Sequence, residues 1–399
     1  MFNQIASNTA AQLVAKFVGV GLTLLTTVLI IRLGGPNLFG DLTKSLALIA
    51  IGFTAIDFGL NAAAVRSMGR DAASQTKFFS DTLLVRFILS LLAVIILNGV
   101  VWLLPGGYTE EVKRTFFVGS LAIIFHGFYI SANTLFQRRL SYWRSTLAIV
   151  VGTVIGTALT YLVVTTSPTL FNLLAVSTIG YFFAGGISIL QLGKFDLSFS
   201  LARAWRHFRA SFWLGATLIA SILASRMDTV ILGIFRSSVE VGYYGLSYRA
   251  FEVALTLPTF AMNAIFPLLL DLGSPAKERL LKRSGLFLFA IGILGIVVLY
   301  FAAPLLSLIR PGLESAVATL RILSFSLPLF YLTSPLMWSL IERRREKILL
   351  AVYLCGALAN AALNLSFTPR FGLTSAAIIT GVTELFILLS LLYYSRKHS

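Results

Sequence analysis

Apolar stretches of about 20 residues, the length that crosses a bilayer, recur along the whole chain with short polar loops between them. They predict spans over 10–31, 42–63, 81–104, 115–136, 146–165, 171–192, 212–235, 242–270, 285–306, 315–338, 348–367 and 372–394. No connection is longer than about 20 residues, so no soluble domain fits between them. The expected fold class is an all-α polytopic membrane protein with twelve transmembrane helices.

Composition agrees with that pattern. Of 399 residues, 57% are hydrophobic and 12% charged, and the mean hydropathy is +0.87. A soluble protein of this size could not cover so much apolar surface, whereas a lipid-embedded one exposes it. The single cysteine, Cys355, lies in an apolar run, which excludes a disulfide framework and a thiolate metal site. A packing role is expected for it. His126, His207 and His398 lack the close spacing of metal ligands, so no metal and no cofactor are expected. The first residues, MFNQIASNTAAQL, show neither a basic leader nor a small-residue cleavage site, so no removable signal peptide is expected.

A net charge of +16 would point to nucleic acid in a soluble protein. Here the basic residues crowd into alternate loops, and topology explains them better. One set of loops and ends holds Arg66, Arg70, Lys77, Arg138, Arg139, Arg144, Lys194, Arg203, Arg206, Arg209, Lys277, Arg279, Lys282, Arg283, Arg343, Arg344, Arg345, Lys347, Arg396 and Lys397. The other holds only Arg32, Lys113, Arg114, Arg236, Arg310 and Arg370. The bias places the first set and both termini in the cytoplasm, with no nucleic-acid partner. All five tryptophans fall near span ends, as an interfacial belt requires.

Sliding the chain on itself by 202 residues superposes the span pattern, with Gly40 over Gly242 and Asn61 over Asn263. The repeat predicts an N-terminal six-helix lobe over 1–194, a connector over 195–211 and a C-terminal six-helix lobe over 212–399, the lobes related by pseudo-twofold symmetry. Parallel repeats of this kind place a substrate path between rocking halves. In the connector, Leu201, Trp205, Phe208 and Phe212 form one stripe, and Arg203, His207 and Arg209 point elsewhere. This predicts an amphipathic helix lying on anionic membrane lipid.

IIRLGGPNLFGDL after the first span and IDFGLNAAAVR closing the second resemble the opening of polysaccharide-type flippases. These belong to the superfamily that also holds multidrug/toxin extrusion antiporters and lipid II flippases. SVEVGYYGLSYRAFEVALTLPTFAMNAIFPLLL and FGLTSAAIITGVTELF are similar to the C-terminal lobe of that family. The resemblance covers essentially the whole chain. It implies export of undecaprenyl-pyrophosphate-linked oligosaccharide across the bacterial inner membrane for O-antigen, exopolysaccharide or capsule assembly. The implied partners are the lipid-linked oligosaccharide and polysaccharide polymerase or assembly proteins, with the chain itself monomeric.

Six basic residues fall inside spans or at their edges: Lys16, Lys44, Arg86, Arg226, Arg249 and Arg321. The intramembrane acids are Asp57, Asp228, Glu252 and Glu384. A charge at the bilayer centre costs about 2.5–3.5 kcal/mol on the insertion scale, so these residues face the bundle interior or a wet cavity. At about 1.5 Å per residue, Arg226, Arg249 and Glu252 lie in one layer about 11–15 Å below the outer face. Arg226 is expected to reach Glu252, Asp228 to reach Arg249, and Lys16 to pair with Asp57. Lys44 is expected to snorkel to the outer surface, and His126 to be a satisfied helix contact.

Arginine stays charged and grips phosphate oxygens with two parallel donors, which suits a pyrophosphate cargo. Arg86, Arg226, Arg249 and Arg321, then Lys16, are therefore the candidates for the pyrophosphate and glycan path, against the competing role of structural ion pairs. Asp57, Asp228, Glu252 and Glu384 are the candidates for H⁺ or Na⁺ coupling. Pro258 and Pro267 in the eighth span, and Pro328 and Pro335 in the tenth, are expected to kink those helices, freeing carbonyls to line the cavity. A multidrug-type antiporter of the same fold is the alternative, although it would favour an acidic or aromatic cavity. An enzyme is not expected, because the only adjacent acids, Glu110 and Glu111, sit in a short loop.

Overall fold

The structure is a computed structural model that describes residues 17–61, 68, 71–139, 141–193, 198–271 and 273–397, and no strand occurs among them. The helix α1 spans 17–29 and runs through a wide π-type turn, Ile30–Gly34, into α2 (Gly35–Asp57). Then come α3 (Ala72–Leu103), α4 (Glu110–Arg138), α5 (Tyr142–Thr166), α6 (Leu170–Leu190), α7 (Leu201–Phe235), α8 (Ser238–Asp271) and α9 (Ser274–Ala302). The next, α10, is a broken helix, Glu314–Ser324 and Leu327–Glu342, bent by 44°. The last helix, Glu346–Lys397, divides at Gly372 into α11 (346–371) and α12 (373–397).

Among the described residues, eight helices are long and apolar enough to cross a membrane, or nine with the bent pair. Two of them are double passes that turn at a glycine, at Gly35 and Gly372. With α8 included, the described residues form twelve passes, and the chain is a multi-pass membrane protein. The glycine corners have φ of 86° at Gly35 and 60° at Gly372, in the region that L side chains avoid. At Gly372 a side chain would also meet Glu240 Oε1 at 3.1 Å.

The chain forms two compact units, Met1–Ile219 and Ala220–Ser399. In the first, α5 and α6 approach so closely that a Cβ on Gly152 would lie 2.4 Å from the Gly180 carbonyl oxygen. Small residues let membrane helices gain van der Waals contact where no hydrophobic effect drives them together. The outer face of α3 leaves Leu92, Ile95 and Leu103 exposed, as a lipid-facing helix does. In the second unit, Tyr244, Phe251, Leu323, Leu327 and Tyr331 form a buried core.

Two expectations change here. The segment 201–211 is not a separate surface helix but the start of α7, which continues unbroken to Phe235. At about 1.5 Å per residue its 35 residues exceed the bilayer core, so one end projects from it. That end is fastened inside the first unit. Arg203 Nε donates to Asp81 Oδ2 at 2.6 Å, the Ser200 N–H donates to Asp81 Oδ1 at 3.0 Å, and Phe208 stacks on Phe58 at 4.6 Å. Leu201 and Trp205 remain exposed, while Phe208 of the expected stripe is half-buried. Residues 195–197 lie outside the described residues.

The proline expectation divides as well. The helix α10 breaks just before Pro328, but α8 passes Pro258 and Pro267 without interruption. Pro258 cannot donate to the carbonyl of Ala254, and the Tyr331 hydroxyl donates to it instead at 2.7 Å. That carbonyl is capped rather than left to line a cavity.

Candidate functional site

In the second unit, α7 and α8 run side by side and bring Arg226, Arg249 and Glu252 together. Glu252 lies one turn beyond both Tyr248 and Arg249, so α8 presents ring, base and acid as neighbours. Arg226 of α7 donates to Glu252 Oε1 and lies over the Tyr248 ring, 5.3 Å from its centre. Arg249 Nη1 meets the other oxygen, Glu252 Oε2, at 3.5 Å. Two guanidiniums thus share one carboxylate and leave an excess positive charge. None of the three is sealed: the side chains of Arg226, Arg249 and Glu252 are 21%, 33% and 27% exposed. The Arg226–Glu252 pairing is the expected one.

Asp228 does not reach Arg249. Two residues on from Arg226, it faces another way, is buried, and accepts hydrogen bonds from the Tyr244 hydroxyl, the Thr380 hydroxyl at 3.2 Å and the Thr229 N–H. A neutral hydroxyl cage takes the place of the expected cation because Tyr244, one turn before Tyr248, occupies the side of α8 that Asp228 meets. Beside it lies a cavity of about 250 Å³ lined by Ser221, Ser225, Thr333, Tyr353, Thr383 and Glu384. Glu384 is buried, and its Oε1 has no partner. Hydroxyls and one carboxyl around such a space can coordinate a small cation or pass a proton. Among the described residues, no cluster of three histidines, cysteines or acids forms a metal site.

Arg321 lies apart, over the Tyr300 ring at 4.7 Å, with its Nε donating to the Tyr300 carbonyl at 3.4 Å. It stays partly exposed.

In the first unit Arg86 is fully buried. Its Nη2 donates to Asn61 Oδ1 at 2.9 Å and to Asp57 Oδ1 at 3.3 Å, and its Nη1 reaches Thr134 Oγ1 at 3.3 Å. Asp57 therefore pairs with Arg86, and Lys16 lies outside the described residues. With no exposed surface, Arg86 ties α2, α3 and α4 together. Lys44 does not snorkel: it is buried and donates to Asp41 at 2.9 Å and to the Gly107 carbonyl at 2.6 Å. His126 is not a satisfied contact either, since its Nδ1 is buried without a partner. Cys355 is exposed rather than packed.

The partners Tyr244, Tyr248 and Thr380 did not stand out in the sequence, and Asn61 did so only as a repeat match, although the two tyrosines carry a readable signal. Tyr244, Tyr248 and Glu252 recur every four residues, which puts hydroxyl, ring and carboxylate on one helical stripe.

Residues 5–272 match the family described as polysaccharide biosynthesis protein. The chain belongs to that family. Among its relatives, one named as an O-antigen transporter, from Shigella dysenteriae, is 24% identical over 371 residues, covering 89% of this chain and 90% of that one. The fold is shared with lipid II flippase MurJ in an inward closed conformation, at a TM-score of 0.80 and 16% identity over 96% of this chain and 87% of that one. It is also shared with an inward-facing multidrug resistance MATE family transporter of the MOP superfamily, at 0.74 and 13% identity over 94% of each chain. The relative and the two proteins that share the fold are named as transporters or flippases.

Proposed function

We propose that the protein is a flippase that moves an undecaprenyl-pyrophosphate-linked oligosaccharide from the cytoplasmic to the periplasmic leaflet of a bacterial inner membrane, by alternating access, for surface polysaccharide assembly. The observation that carries this reading is the partly exposed pair Arg226 and Arg249 sharing Glu252. Arg249 lies eleven residues into α8, about 16 Å along the helix, where an exposed cation needs a wet path or an anionic ligand. Arg226 is held by Glu252 and Tyr248. Arg249, with the longer contact and greater exposure, is the group available to phosphate oxygens. Glu384 and its hydroxyl-lined cavity are the proposed place for H⁺ or Na⁺ coupling. Family membership and the O-antigen transporter relative support the cargo class, and the loop charges support cytoplasmic termini.

The test is surface polysaccharide in the native host. Arg249→Ala should abolish it and Arg249→Lys should restore only part, because lysine lacks the bidentate fork. Protein recovered from the membrane should be unchanged in both. Full polysaccharide from both Arg226→Ala and Arg249→Ala would overturn the basic-path reading.

The fold shared with multidrug transporters favours one second reading, an ion-coupled small-molecule antiporter. Proteoliposomes that accumulate ethidium under a proton or sodium gradient, from a protein whose Arg249→Ala variant still exports polysaccharide, would select it.

A further inference from the structure

The first unit holds a constellation that the arginine site does not use. Phe53 of α2, His126 and Tyr129 of α4, and Tyr181 of α6 gather four rings from three helices. The Phe53 ring lies 4.3 Å from His126 and 4.9 Å from Tyr181, and Tyr181 meets His126 edge-on at 5.4 Å. All four are partly exposed, unlike the sealed rings of the second unit's core.

What they are exposed to follows from their neighbours. Asp57 lies one turn beyond Phe53, and Asn133 two turns beyond His126, on the same stripes, and both are also partly exposed. A carboxylate and an amide at this depth do not face hydrocarbon, so this side of α2 and α4 faces a wet cavity. The lipid-facing side of α6 is marked separately by Phe182 and Phe183. Packing alone leaves the cluster unexplained, because four partly exposed rings share this side with a partly exposed carboxylate and amide, while the His126 Nδ1 behind them is buried without a partner.

Charge narrows the ligand. Asp57 is neutralised by Arg86, so no unbalanced anion draws a cation to these rings. A ligand with an apolar C–H face and a hydroxylated edge fits both surfaces, and a pyranose ring has that form. We propose that the Phe53–His126–Tyr129–Tyr181 cluster binds a sugar ring of the lipid-linked glycan. The C–H face of the sugar lies on the Phe53 and Tyr181 rings, and its hydroxyls lie toward His126 and Asn133. This rests on the flippase reading and adds a place for the saccharide, distinct from the arginines that take the phosphates.

The test is photocrosslinking in the native host. A benzophenone-bearing phenylalanine replaces Phe53, Tyr181, Leu255 beside the second-unit cavity, or Leu92 on the exposed face of α3. After irradiation the purified protein is analysed for saccharide by mass spectrometry. Adducts at 53 and 181 should carry sugar, and those at 92 only acyl lipid. Saccharide at 255 but not at 53 or 181 would overturn the inference and leave the flippase reading standing. Acyl lipid alone at 53 and 181 would place the cluster against the bilayer and equally overturn it. Absence of saccharide at all positions would sink both readings. In parallel, Phe53→Leu and Tyr181→Leu should lower surface polysaccharide about fivefold, the scale of one aromatic contact. Phe53→Tyr and Tyr181→Phe should retain it, whereas equal export from the leucine variants would count against ring stacking.

Discussion

The charged residues of this membrane protein divide by exposure rather than by charge. Arg86 and Arg249 are both arginines near acids, yet one is sealed and tied to three helices and the other is a third exposed. Removing Arg86 breaks a buried pair and orphans its neighbours, at a cost of about 2–4 kcal/mol. Arg86→Met should therefore reduce the amount of protein recovered from the membrane and lower its thermal midpoint in detergent. Arg249→Ala should leave both near wild type while export fails. Asp228 belongs with the structural group, because the buried carboxylate is held by the Tyr244 and Thr380 hydroxyls. Tyr244→Phe deletes one donor to it and should destabilise the purified protein by about 1–3 kcal/mol in the same melt. The sequence shows which residues carry intramembrane charge, and helix arithmetic shows which share a layer. It does not show which way Asp228 turns, since two residues along a helix change the direction by about 200° and neutral tyrosines compete with arginine for the carboxylate. Lys44 illustrates the same limit: depth alone suggested escape to the surface, but Asp41 and the Gly107 carbonyl were near enough to hold it.

At the scale of the element, the spans were readable because each must bury its backbone polar groups within itself, leaving a continuous apolar signature. Their ends were less so. The helix α7 begins where amphipathic periodicity suggested a separate surface segment, because a helix that projects from the bilayer is amphipathic without needing a break. Proline was also an ambiguous sign. Before Pro328 the helix breaks, whereas at Pro258 it continues with Tyr331 supplying the missing donor to Ala254. This predicts coupling between two residues on different helices. Tyr331→Phe should cost about 1–2 kcal/mol in the native background. In a Pro258→Ala background the helix regains its own N–H donor, so the same substitution should cost nearly nothing. A double-mutant cycle on thermal stability reads the difference, and additive effects would show that the hydroxyl does not cap the carbonyl. Glycine corners behave more simply. Gly372→Ala forces an L side chain into an unfavourable φ, with a tight contact to Glu240 besides, and membrane-inserted protein should be largely lost.

Across the whole molecule, the two compact units meet in sequence at Ile219 and Ala220, within α7 rather than in a loop. The repeat in the sequence places its seam near the start of that helix, while the packing places it in the middle. The reason is physical: the first turns of α7 are claimed by Asp81 and Phe58 of the first unit, and its later turns carry Arg226 and Asp228 into the second. One rod therefore has owners on both sides. A gene for this protein could be divided into two coding segments, and the position of the cut decides whether the products complement each other. Fragments parted between Gly193 and Ser198 keep the rod whole on the second product, and co-expression should restore surface polysaccharide. Fragments parted at Ile219 leave each product with half a rod and no hydrogen-bonded ladder to rejoin it across the cut, and should yield none.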